Sequence, residues 1–171
     1  TGLMALKLKI CRALENEDFE WMVGPPDPTR DDLCWYTDGS AVFPCVPELR
    51  RTGFAIVVVD SSWNLMAFGL GTPPAFVRDS GNAELWAMLH AIRATTSIPQ
   101  IVTDYMGAVK GTEAGFGAAL SAKSSQARLW NDIATAVDGG SYRDLHARVK
   151  WMHSHTTCAA IANRLGSEEK P

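Results

Sequence analysis

Apolar and polar positions along the chain divide it into a string of short elements. Leu6, Ile10, Ala13 and Leu14 fall at the spacing of a short amphipathic helix over residues 3–15. "GPPDPTRDD" (24–32) follows, and its prolines bar a helix or a central strand, so it is a linker. "LCWYTD" (33–38) has the aromatic content of a strand, and "FPCVPELRR" (43–51) is a loop. "TGFAIVVVD" (52–60) is the clearest strand, an apolar run bounded by Gly53 and Asp60 as expected when both faces are covered. "SSWN" turns the chain into "LMAFGL" (65–70), which completes a three-stranded meander.

The second half changes period. The loop "TPPAFVRDSG" (72–81) ends with helix caps at Asp79 and Ser80. "NAELWAMLHAIRAT" (82–95) then carries Leu85, Leu89 and Ile92 on one helical stripe. Pro99 opens a short strand, "QIVTD" (100–104). Residues 105–120 and 124–137 are predicted helices, the second marked by Leu129, Ile133 and Val137 and closed by Gly139-Gly140. In "HARVKWMHSH" (146–155), Val149, Trp151 and His153 alternate with Lys150, Met152 and Ser154, the period of a last strand. The order β-β-β-α-β-α-α-β predicts an α/β fold with a five-stranded mixed sheet, three antiparallel strands then parallel ones, and flanking helices. The domain boundaries expected are an N-terminal helix and Pro-rich linker over 1–32 and one folded domain over 33–171.

Composition narrows the class. A chain of 171 residues with 46% apolar and 20% charged residues has the make-up of one soluble domain with a real core. No apolar run approaches the roughly 20 residues of a membrane span, and the N-terminal stretch has no signal-peptide pattern. Cys11, Cys34, Cys45 and Cys158 are widely spaced without a CxxC pair, which argues against a disulfide framework and for a reducing compartment. We therefore expect an intracellular protein, nuclear or cytoplasmic, not secreted, and a monomer. The opening Thr1 hints at a fragment of something longer. A net charge of −3 argues against bulk attraction to nucleic acid, though not against nucleic-acid enzymes that bring cations to the site.

Three carboxylates stand at element ends. Asp38 closes the first strand, Glu84 lies in the first turn of the main helix, and Asp104 closes the fourth strand. Glu84 shares a helix face with Ala87, Met88 and Ala91, a small apolar stripe, so it is expected to point at the sheet. A carboxylate there is costly unless paired, and cation coordination is one way to offset that cost. Singly, each residue has an ordinary explanation. Asp38-Gly39 is a turn pair, Glu84 suits a helix dipole, and Asp104 could cap the helix after it. Their combination and order point to chemistry.

On these residues the chain resembles the ribonuclease H family, in the type 1 branch found free and in retroelement polyproteins. Thr37-Asp38-Gly39-Ser40 matches its T-D-G-S motif, Ala83-Glu84-Leu85-Trp86-Ala87 its A-E-L-x-A motif, and Thr103-Asp104-Tyr105 its T-D-S motif, with Tyr105 in place of a small residue. "RLWNDIATAV" (128–137) is similar to the family's Leu-Trp helix. "VKWMHSHTT" (149–157) resembles its final strand and the loop whose His aids catalysis. The resemblance covers about residues 33–157 and implies a metal-dependent endonuclease that hydrolyses the RNA strand of an RNA–DNA hybrid. It implies Asp38, Glu84 and Asp104 as ligands of Mg²⁺ (Mn²⁺ substituting) and His155 as a fourth catalytic residue. Gly39, Ser40 and Asn82 would bind substrate, and neighbouring domains of a polyprotein would be covalent partners, with residues 1–24 resembling the tail of an upstream region. Two ions roughly 3.5–4 Å apart would activate a water and steady the leaving 3′ oxygen.

The pattern departs from the family in one acid. An Asp after the loop His is missing from "TTCAAIANRLGSEEKP", whether Ser167 holds its place or the acid-bearing helix lies beyond Pro171. Metal binding and cleavage are then expected to be weakened. An inactive ribonuclease H-like module with a structural or nucleic-acid-binding role is the alternative. Other constellations fare worse. His153, His155 and Cys158 supply three zinc ligands where four are needed, and His153 alternates with Trp151 as a core or rim residue. Ser40 stands where a D-x-E exonuclease needs Glu, neither Cys34 nor Cys45 sits in a nucleophile elbow, and "GLGTPP" lacks the dinucleotide pattern. Lys110, Lys123, Arg128, Arg148 and Lys150 are the candidate cations for meeting phosphates, with solvated surface as the alternative for each.

Overall fold

The computed structural model describes residues 17–43, 50–121, 124–137 and 142–153. The expected helix over 3–15, the Gly139-Gly140 stop and everything after His153 lie outside them. The elements are β1 (Asp18–Val23), β2 (Cys34–Val42), β3 (Arg51–Val59), β4 (Leu65–Thr72), α1 (Ser80–Arg93), β5 (Gln100–Thr103), α2 (Met106–Ala114), α3 (Phe116–Ala119), α4 (Ala127–Ala136), α5 (Tyr142–Arg148) and β6 (Val149–Trp151). They build one sheet in the order β1-β4-β3-β2-β5-β6. β1, β4, β3 and β2 pair antiparallel, while β2, β5 and β6 run parallel. The mixed α/β sheet is the one expected, with six strands instead of five.

The sixth strand is β1, which begins the sheet before the Pro-rich stretch rather than after it. Phe19 and Trp21 face Gly71 and Gly69 across the ladder; Gly69 leaves room for both of their rings, and Gly71 for the ring of Phe54. Phe19 stacks on Phe54 at 5.4 Å and meets His90 of α1 at 5.0 Å. Exposure elsewhere on this edge strand, at Glu20, Met22 and Val23, hid its alternation from a search for buried runs.

One sheet face holds the core. Trp35 and Thr37 on β2, Phe54, Ile56 and Val58 on β3, Ala67 on β4 and Ile101 and Thr103 on β5 are all buried, in strict alternation. α1 lies across β2 and β3 and is buried at eleven of its residues, including Leu85, Met88, Leu89 and Ile92. Leu129, Trp130 and Ile133 of α4 pack behind it. Val57 and Val59 on the opposite face are half-buried, so β3 is not covered on both faces among the described residues.

Three other expectations change. The helix predicted over 105–120 is two, α2 and α3, parted by Gly115 at a φ of 87°, which a side chain would resist. Among the described residues the strand predicted over 146–155 is Val149–Trp151, because residues 142–148 form α5 and bury Leu145 one helical turn before Val149. "TDGS" is no turn: β2 runs through it to Val42, pairing Asp38 with Ala55 and Gly39 with Phe54.

Candidate metal centre

The parallel register of β2 and β5 pairs Thr37 with Thr103. The next residue on each strand, Asp38 and Asp104, therefore arrives side by side where β5 ends and the chain bends away. The third carboxylate comes from α1. Asp79 caps that helix, its side chain accepting from the Asn82 N–H at 2.8 Å, so Glu84 falls in the second turn and not the first. A dipole-favoured position does not explain it. One oxygen from each of Asp38, Glu84 and Asp104 lies within 4.8 Å of the others. They range from exposed (Asp38) through half-buried (Asp104) to buried (Glu84).

Glu84 is the anchor of this cluster. It is 4% exposed, directed at the sheet as its helical stripe requires. The Gly39 N–H donates to Oε1 at 2.7 Å, and the Thr103 hydroxyl donates to Oε2 at 3.1 Å. Gly39 allows this approach: a Cβ there would lie 2.6 Å from the Ala83 carbonyl carbon and 2.8 Å from the Ser80 oxygen. Burial pushes the Glu84 carboxyl up to about 9; the Gly39 bond works against that rise, while Asp104 and Asp38 add to it. Three acids this close repel one another unless protons or cations stand between them. An all-oxygen donor set suits a hard divalent ion such as Mg²⁺ or Mn²⁺, so the residues present fit that group.

Asp104 does not cap α2, whose N-cap is Tyr105 without a side-chain bond. Its carbonyl instead accepts from the Trp151 indole N–H at 3.1 Å. Ser40 is exposed beside the cluster, with its hydroxyl 3.4 Å from the Gly53 oxygen. A groove of about 300 Å³ opens there, lined by Asp38, Ser40, Gly53, Ala55 and Leu70 among others. Asn82 is buried, its amide donating to Asp79 at 2.8 Å, which makes it part of the helix cap. His155 lies outside the described residues, as do Lys123, Cys45 and Cys158. Of the core and rim positions expected for His153 the structure gives the rim, where it is exposed with its ring 4.3 Å from the Trp151 ring. Arg128 sits over the Phe76 ring at 3.7 Å, and Lys110 and Lys150 are exposed. Thr103 and Trp151 support the cluster, Thr103 through Glu84 and Trp151 through the Asp104 backbone, and the sequence marks neither for that role.

A mixed sheet in this order, with carboxylates on its central antiparallel strand, its main helix and the adjoining parallel strand, is the ribonuclease H-like fold. Neither family models nor curated proteins match the sequence. Solved structures match the fold. The chain is similar to the solution structure of the PFV RNase H domain, at 16% identity and a TM-score of 0.52, over 80% of this chain and 90% of that one. It is similar to RNase H1 from the halophilic archaeon Halobacterium salinarum NRC-1, at 17% identity and 0.52, over 80% and 98%. A third is LC9-RNase H1, a type 1 RNase H with the type 2 active-site motif, at 18% identity and 0.52, over 82% and 71%. At these identities the likeness is one of fold.

Proposed function

We propose that this chain is a divalent-metal-dependent endonuclease that hydrolyses the RNA strand of RNA–DNA hybrids. The observation that carries the reading is the convergence of Asp38, Glu84 and Asp104 from three elements, with the middle one buried. The fold it shares with RNase H structures supports the substrate class. Asp38, Glu84 and Asp104 hold Mg²⁺ or Mn²⁺, and such ions, when bound, activate water toward a phosphodiester and stabilise charge on the leaving oxygen. The Gly39 N–H and the Thr103 hydroxyl keep Glu84 oriented as a ligand. Ser40 and the groove beside Asp38 receive the sugar-phosphate backbone, and Asn82 fixes the start of α1 against it. Recognition rests on duplex shape and 2′-hydroxyls rather than on base sequence. His155 supplies the further catalytic group that the resemblance implies.

The test is cleavage of a hybrid labelled on its RNA strand, with Mg²⁺ and with Mn²⁺, beside Asp38→Asn. Cleavage by the wild type and its loss in Asp38→Asn is expected. Equal cleavage by both rejects the site. A second reading has one observation behind it: among the described residues the cluster holds three carboxylates and no fourth. A module that has given up catalysis would bind the hybrid without cleaving it and without responding to metal.

A further inference from the structure

Directly after Asp104 the chain places a large ring. The Tyr105 ring lies between the first turns of two helices, and both present glycine to it. A Cβ on Gly81 of α1 would come within 2.8 Å of the ring's Cζ, and one on Gly107 of α2 would collide with the same ring. The far end of the ring is held too, because the Gln126 side-chain amide donates to the Tyr105 hydroxyl at 2.7 Å. At the near end, the Tyr105 N–H donates to the Thr103 hydroxyl at 3.1 Å, and that same hydroxyl donates to Glu84 Oε2.

We propose that Tyr105 is a positioning residue of the site, a wedge that fixes the Asp104 backbone relative to the first turn of α1, the turn before Glu84. The proposal rests on the reading of Asp38, Glu84 and Asp104 as metal ligands. Asp104 stands on the bend between β5 and α2, one residue past the last β2–β5 pair, Thr37 with Thr103, whereas Asp38 lies inside β2 and is paired with Ala55. Its neighbours hold it further: the Trp151 indole on its own carbonyl and, one residue on, the Tyr105 ring seated on Gly81 and Gly107. Through Thr103 the same residue touches the bond network of Glu84. Tyr105 meets neither substrate nor metal, and it acts through the two acids.

The experiment compares the full chain with Tyr105→Phe, Tyr105→Ser, Gly81→Ala and the double variant Gly81→Ala/Tyr105→Ser. Mn²⁺ affinity is followed by the free-ion electron-spin-resonance signal, and the Gly39 amide by NMR in EDTA. Tyr105→Ser should weaken Mn²⁺ binding by about tenfold, the loss typical of removing a group that orients a ligand. It should also shift the Gly39 amide, which reports on Glu84 from 45 residues away. Tyr105→Phe, which keeps the wedge and loses only the Gln126 bond, should lose less. Gly81→Ala should weaken binding alone and add nothing in the Tyr105→Ser background, where the ring it strikes is gone. Wild-type affinity together with an unmoved Gly39 amide in Tyr105→Ser overturns the proposal. If the wild type itself binds no Mn²⁺, the nuclease reading fails instead, and the Gly39 amide alone decides the role of Tyr105.

Discussion

At the residue scale the structure turns on Glu84. Its carboxyl is buried beside two others, and its proton is retained up to about pH 9 in the metal-free protein. In the unfolded chain the same group ionises near its ordinary value of 4.5. Between these values the folded state holds a proton that the unfolded state has released, so stability falls as pH rises. Thermal melts in EDTA should therefore show a midpoint that declines from about pH 7 toward about pH 9. Glu84→Gln, which keeps the shape and cannot ionise, should melt higher than wild type at pH 8 and lack this decline. Millimolar Mn²⁺ should restore the wild type at pH 8 and leave Glu84→Gln unmoved. A wild-type midpoint flat across the range in EDTA rules out this account of Glu84.

At the element scale, β1 and α1 make a joint that only the folded chain reveals. His90 of α1 is packed among Phe19, Phe54 and Trp86, with ring centres 5.0, 4.9 and 5.6 Å away. Burial holds its pKa below the usual 6.5; Glu17, 3.5 Å off, works against that and Arg93 reinforces it. Here the sign is the reverse of Glu84's. Below pH 6.5 the unfolded chain takes up a proton that folded His90 resists, so stability is lost as pH falls. His90→Gln should lose that part of the acid sensitivity, and Glu17→Gln should steepen it, in urea titrations at pH 7.5 and 5.5. An unchanged pH slope in His90→Gln rejects the assignment. None of this was legible in the sequence, where nothing sets His90 apart within the helix. The helix itself was legible, because Leu85, Leu89 and Ile92 mark its buried side. β1 was not, because this edge strand half-buries Phe19 and Trp21 and exposes the rest. The last strand was overextended because Leu145 and Val149, four apart, satisfy a helix turn while Val149 and Trp151 also satisfy strand alternation.

At the scale of the whole molecule, the candidate site could be read only because its parts come from distant segments in a fixed order. Asp38, Glu84 and Asp104 each have an ordinary local explanation, and the structure removes all three: "TDGS" is strand, Glu84 is past the first turn, and Asp104 caps nothing. What remains is a pole of negative charge on a chain that already carries −3 overall. Such a surface repels a polyanion, at roughly 1 kcal/mol per charge pair 4 Å apart in water. Cations at the cluster reverse that sign. Hybrid binding measured by fluorescence anisotropy at constant ionic strength should therefore be weak in EDTA and tighten on adding Ca²⁺, an ion chosen to limit cleavage. The triple variant Asp38→Asn/Glu84→Gln/Asp104→Asn should behave in the opposite way. Without the cluster's negative charge it should bind the hybrid several-fold more tightly than wild type in EDTA, and Ca²⁺ should add nothing. If the triple variant binds no better than wild type in EDTA, the cluster does not face the phosphates, and the groove beside Asp38 is not where the duplex lies.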